Sequence, residues 1–206
     1  MEETKIVEVQ NNQLVEEPKK KIEVAREVIP MEKLMEMADT LSKSTIVPAV
    51  YQRRPENCFV ALDMASRMGL SPMVVMQNLY VIQGKPSWSG SAMASLIRSS
   101  NQFTNVELNF VGQEGTDSWG AYVSATRASN GKLLKGSTVT IGMAKKEGWY
   151  QKGGSKWQTI PELMLSYRAY AFFGRVYAPE LLMGLQSAEE VEDVVGKSNV
   201  INPYEK

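Results

Sequence analysis

Lys145, Lys146, Lys152, Lys156, Arg168 and Arg175 fall in one segment, 142–177, against only Glu147 and Glu162. Trp149, Tyr150 and Trp157 are interleaved with these cations. Cations attract phosphates, and flat rings take up unstacked bases, so the pattern suits a flexible polyanion of the single-stranded nucleic-acid kind. Arg168 and Arg175 are separated by two helical turns, roughly 10 Å along a helix axis, and so point the same way. Their neighbours Leu163, Met164, Leu165, Tyr167, Tyr170, Phe172, Phe173 and Val176 are apolar or aromatic. An arginine in that setting needs either a carboxylate at the core edge or an anionic ligand. Both readings are open from the sequence. The tryptophans, Trp88 included, are likewise either stacking platforms or packing.

Other chemistry is poorly supplied. The 206 residues contain no histidine and a single cysteine, Cys58. That removes the commonest general base and metal ligand, every Ser/His or Cys/His pair, and any internal disulfide. Cys58 reads as a small core residue. No Gly-x-x-x-x-Gly-Lys-Ser/Thr loop is present, so Gly148, Gly153 and Gly154 are flexible points of a basic loop rather than a phosphate cradle. Asp63, Glu114, Asp117 and Glu180 are scattered. Glu189, Glu190, Glu192 and Asp193 cluster, and the sequence predicts a solvated acidic helix face for them rather than a metal site. Neither an active site nor a cofactor is implied; the protein is expected not to be an enzyme.

Twenty-three basic and 23 acidic residues cancel overall. The first and last thirty residues carry the acidic excess, which leaves the middle net positive. The beginning, Met1 to Gln10, is acidic and polar, and no apolar run approaches the ~18 residues of a membrane span. A cytoplasmic setting is expected.

The elements that must position the basic segment follow from periodicity. Residues 1–29 lack a sustained period and read as a mostly disordered acidic segment. Helices are predicted from Met31 to Ser44, from Pro55 to just before Gly69, and as a short turn from Pro72. A strand at Leu79–Ile82, a turn at Gly84-Lys85-Pro86 and a brief return at Ser87-Trp88 precede a helix capped by Ser89. Three strands follow as a meander, around Val106–Phe110, Trp119–Ala125 and Lys132–Ile141, with Asn130-Gly131 as a hairpin turn. Thr159 and Glu162 have capping-box spacing for a long helix reaching Tyr177. A short helix near Ala188–Val194 and a flexible tail, 196–206, complete the chain. The fold class is α+β: a three-stranded antiparallel meander plus a short strand pair, covered by helices, in a single domain over residues 30–195.

Three segments carry a resemblance. They are Asn57–Pro72, closing on Gly69-Leu70-Ser71-Pro72; Leu79–Ser100, with strand, turn, Trp88 and helix; and Trp157–Arg175, with its tryptophan, proline, methionine and arginine helix. Together they resemble the RecT family of phage recombinases, in the RecT/Redβ group of single-strand annealing proteins. The resemblance implies single-stranded DNA binding, annealing of complementary strands without nucleotide hydrolysis, and assembly into rings or helical filaments, in a bacterial host cell. It implies a basic DNA groove that includes Arg168, Arg175 and the lysines before Trp157, with Lys85 and Arg98 added from the second segment. A phage exonuclease or a host single-strand-binding protein is the implied protein partner. Family members continue into a longer C-terminal part for such contacts, whereas a short acidic tail follows here. A non-catalytic oligomeric scaffold, its basic segment meeting acidic tails of neighbouring subunits, is the alternative.

Overall fold

Proline and glycine set the first helix ends. In the computed structural model, which describes residues 29–82, 84–195 and 200–201, Pro30 precedes α1 (Met31–Ser42), and Pro55 and Gly69 bracket α2 (Pro55–Met68). Gly69 has φ +67°, a left-handed geometry that lets the chain leave the helix while its N–H caps a last carbonyl. Pro72 opens α3 (Pro72–Asn78). Next, β1 (Leu79–Ile82) pairs antiparallel with β2 (Lys85–Trp88), Ile82 opposite Lys85. This reversal is tighter than the sequence predicts: Lys85 and Pro86 belong to the strand, and Gly84, at φ +75°, supplies the turn. Ser89 caps α4 (Gly90–Ser99) as predicted, its hydroxyl accepting from the Ala92 N–H at 3.1 Å.

The larger sheet is antiparallel, with β3 (Phe103–Val111) beside β4 (Gly120–Arg127), and β5 (Leu133–Lys135) and β6 (Val139–Thr140) both on the far side of β4. The predicted third strand is therefore split. Gly136, between the two pieces, marks the reason: a Cβ there would lie 3.3 Å from the Phe173 Cβ, so the backbone runs close under a helix. Ile141 leaves the sheet and begins α5 (Ile141–Lys146), capped by the Thr140 hydroxyl.

Two helices differ from expectation at their junction. Lys156–Thr159 form a short helix, α6, whose cap is Ser155, and α7 (Pro161–Tyr177) begins after Ile160 without a side-chain cap. Thr159 is already committed to a helical turn, so the capping box does not form. After α8 (Ala188–Val195), a two-residue strand absent from the sequence reading, β7 (Val200–Ile201), adds to the free edge of β1. The expected disorder of residues 1–28, and the expected looseness of 196–199 and 202–206, lie outside the described residues.

The whole is α+β, and α7 is its spine. Leu165, Ala169, Tyr170 and Phe173 pack with Ala121, Val123, Leu134 and Val139 of the large sheet. Ala171, on the same helix, joins a second cluster with Leu62, Val75, Met76, Trp88 and Met93 from the α1–α4 side. Cys58 is fully buried there, its thiol donating to the Tyr51 carbonyl at 3.3 Å, which bears out its reading as core. Burial pushes that thiol up from its ordinary pKa, away from thiolate chemistry.

Helix α4 reaches α7 through Gly90, where a Cβ would fall 2.5 Å from the Tyr167 ring. Gly90→Ala must push the two helices apart and is expected to cost about 1–3 kcal/mol, read as a lowered denaturant midpoint. An unchanged midpoint would show that the α4–α7 contact yields freely.

Candidate nucleic-acid interface

Along α7, Arg168 and Arg175 do point the same way, and both meet one acidic residue, Glu190 of α8. The loop after Gln186 delivers α8 to them. Trp88 donates its backbone N–H to the Gln186 carbonyl at 3.0 Å, and Ser187 forms a parallel bridge with Trp88. From that anchor α8 lies over α7 with its carboxylates inward. The predicted solvated acidic face is thus corrected: Glu190 is 5% exposed, and the Glu189 carboxylate accepts from the Gly90 N–H at 2.9 Å. That contact also satisfies a first-turn donor of α4.

Arg168 sits at the centre, 4% exposed. Its guanidinium pairs with Asp193 and lies 3.9 Å from Glu190, while its planar face covers the Trp149 ring, 3.9 Å from the centroid. Trp149 and Trp157 stack at 5.5 Å and 30°, and the Trp157 indole N–H donates to Asp193 at 2.9 Å. Neither tryptophan presents a face to solvent: Trp157 is fully buried and Trp149 is 9% exposed. As stacking platforms they are corrected to packing, because their faces are taken by each other and by Arg168. Trp88 is buried too, its indole donating to the Leu182 carbonyl at 3.3 Å.

The lysines continue the pattern. Lys152 donates to the backbone carbonyls of Asp193 and Glu192, and Lys156 is 3.7 Å from the Glu192 carboxylate. A cavity of about 250 Å³ lies on this flank of α8, lined by Lys152, Lys156, Glu192 and Asp193. A second cavity, about 640 Å³, is lined by Lys85, Arg175, Val191 and Val194. Residues 191 and 194 face away from 192 and 193 on a helix, so the two cavities flank α8 on opposite sides. Lys152 and Lys156 therefore line the first cavity and Lys85 and Arg175 the second, while Arg168 lines neither and is buried beneath α8; the two cavities form a trough beside α7 that α8 interrupts.

The remaining predicted residues stand apart. Lys145 pairs with Asp117 at 2.5 Å and lies over the Tyr150 ring at 5.2 Å, which ties it to the β3–β4 turn. Tyr150 is half-buried, and Lys146 is exposed on the same short helix, α5. Arg98 donates to the Tyr170 hydroxyl at 3.3 Å, from the side of α7 opposite Arg168. The residues missed by sequence reasoning are the carboxylates themselves. A cationic middle followed by an acidic end was the available signal, and it pointed to pairing as well as to solvation. Among the described residues, no group of three or more acidic or cysteine side chains could hold a metal ion. No single described helix is long and apolar enough to cross a membrane.

Burial dominates the electrostatics. It lowers the Arg168 pKa and raises those of Asp193 and Glu189, in each case against the attraction of the opposite charges nearby. A carboxyl that holds its proton more tightly in the folded state adds stability at low pH and loses it as pH rises from the ordinary carboxylate range through the raised value. At neutral pH, then, desolvating Asp193 and Glu189 opposes the docking of α8, and the nearby charges and hydrogen bonds offset only part of that cost.

Removing one partner from such a network leaves the others buried and uncompensated. Arg168→Ala is expected to lower stability by about 3–5 kcal/mol, whereas Lys156→Ala, at a half-exposed pair, costs less than about 1 kcal/mol. Urea titration of both variants checks the contrast, and equal midpoints would remove Arg168 from its central place. No protein-family model matches the chain, and no curated protein matches it either.

Proposed function

We propose that the protein binds single-stranded DNA along the α7 trough and anneals complementary strands without nucleotide hydrolysis, acting as a homo-oligomer in the bacterial cytoplasm. The observation that supports this reading is that Lys152 and Lys156 line one cavity beside α8, Lys85 and Arg175 line the other, and Arg168 lies on α7 beneath the helix. A row of cations is what a phosphate backbone recognises, and contacts to phosphate alone leave base edges free to test pairing. Annealing needs no cofactor, since duplex formation is downhill by about 1.4 kcal/mol per base-pair step from stacking. The protein's part is to lower the repulsion between strands. The likeness of three segments to the RecT family supports the same activity, and with it rings or filaments and an exonuclease or single-strand-binding protein as partner.

One observation favours a second reading. What fills the trough is an acidic helix, so a non-catalytic scaffold would use the same groove to take an acidic helix from a neighbouring subunit.

Binding of a labelled oligonucleotide separates the two. Affinity is expected to fall steeply with salt, and a complementary strand added without ATP should pair faster in the presence of protein. Salt-insensitive or absent binding favours the scaffold. Arg175→Ala, at a part-exposed ion pair, should keep the fold, weaken binding and reduce the salt slope by about one. A slope left unchanged would take Arg175 out of the interface.

A further inference from the structure

We infer that α8 is a releasable strap, and that the trough beneath it is one continuous single-stranded DNA site which the strap covers by mimicking a polyanion. The inference rests on the DNA-binding reading above. It concerns a state of the molecule in which α8 has left the groove and Arg168 becomes accessible.

What holds α8 down is charge. Helices normally dock through an apolar stripe. Of the described apolar side chains on α8, Ala188 is buried, Val191 is half-buried and Val194 is 79% exposed. Against that small apolar contact stand Glu189 on the α4 N–H, Glu190 on both arginines, Glu192 on Lys156 and Asp193 on Arg168 and Trp157. Three of these four acids, Glu190, Glu192 and Asp193, meet cations as phosphates would. An eight-residue helix is also marginal by itself, so α8 loses its conformation readily once it leaves the groove.

The geometry allows the exchange. Cavities of about 250 and 640 Å³ border α8 on its two sides, each lined by cations of the trough, so lifting the helix merges them. The fixed point upstream is Ser187, held by Trp88. Met183 and Gly184 just before it have φ of +51° and +70°, a bend that sets the entry of α8. Downstream, the described contact is the two-residue pairing of β7 with β1.

An empty trough is unfavourable, because Arg168 would keep a buried charge without a counter-charge. Release is therefore coupled to replacement: a phosphate chain entering from the flanking cavities takes the cations as the carboxylates leave them. Burial already raises the pKa of Glu189 and Asp193, so their charged forms are docked at a desolvation cost that leaving the groove relieves. The apparent affinity for DNA is reduced by the fraction of molecules in which the strap is closed. Weakening the strap must tighten DNA binding.

The test uses the full chain and a labelled thymidine 30-mer at fixed salt. Glu192→Gln and Asp193→Asn relax the strap; Glu114→Gln, in the distant β3–β4 turn, controls for net charge. Affinity is expected to rise about 1.4- to fivefold for Glu192→Gln, the range of one part-exposed ion pair, and further for Asp193→Asn. Hydrogen exchange of the α8 amides should accelerate when the oligonucleotide is added to the unmodified protein, while α7 stays protected. Three results would overturn the inference. If the oligonucleotide binds but the α8 variants leave affinity unchanged and α8 stays protected, the strap is a fixed part of the fold and DNA lies elsewhere. If Glu114→Gln tightens binding as much as Glu192→Gln, the effect is one of net charge. If no form binds, relaxed variants included, the DNA-binding reading itself fails and the competition with it. Should Asp193→Asn unfold the chain, Glu192→Gln at its part-exposed pair still decides between these outcomes.

Discussion

A guanidinium held out of water on the central helix constrains everything around it. Arg168 is nearly inaccessible, and a charge in that position demands compensation from whatever packs over it. Asp193 and Glu190 supply the countercharge, Trp149 supplies a ring face, and Trp157 donates to the same carboxylate that the arginine uses. Because Asp193 is shared between Trp157 and Arg168, the loop that carries Trp149 and Trp157, the helix that carries Arg168 and the final helix are bound into one unit. Arg175 extends that unit by sharing Glu190, which also accepts from the Ser187 N–H at 3.0 Å and so fixes the start of α8.

The same constraint explains why α7 can serve two cores and a polar groove together. Leu165, Ala169, Tyr170 and Phe173 serve the large-sheet core and Ala171 the α1–α4 cluster, while Arg168 and Arg175 belong to neither. Close approach on the inward sides is achieved by glycine. Gly174 lies where a Cβ would meet Leu182 at 2.6 Å, Gly90 comes as near the helix from α4, and Gly136 approaches it less closely from the sheet, at 3.3 Å. Packing is thus exhausted on the apolar faces, and the remaining strip is free to be electrostatic.

How much of this was legible in the sequence depends on whether the information was local. Helix ends marked by Pro55, Gly69 and Ser89 came out as read, since a fixed φ, a left-handed residue or a hydroxyl cap acts within one turn. The alternation of Ala121, Val123 and Ala125 also survives intact on β4, where all three are fully buried. Thr159 and Glu162 matched a cap by spacing, yet Ser155 upstream had already claimed Thr159 for another turn; two local signals competed and the pattern alone did not rank them. For the tryptophans, composition could not decide between a face offered to solvent and a face used in packing, because the same ring serves both. The partners of Arg168 were beyond local reading altogether. They depend on the chain returning at Ser187 to the edge of the β1–β2 hairpin, a contact between positions 99 residues apart.

Net neutrality takes on a physical meaning in this light. A protein that handles polyanions is ordinarily basic throughout, and its cations stay hydrated at the surface. Here Lys156, Arg168 and Arg175 pair with Glu192, Glu190 and Asp193 of α8, so these charges cancel at short range. On the proposed function the groove would be silent toward weak or sparse anions, since Glu190, Glu192 and Asp193 already occupy cations and exchange for a single ion gains little. A chain of phosphates differs in kind: once one contact is made, the next are intramolecular, and the entropy of association is lost once for many exchanges. On the proposed function, discrimination between a polymer and its monomeric anions would follow from the length of the trough and the number of shared cations, with no base-specific contact required.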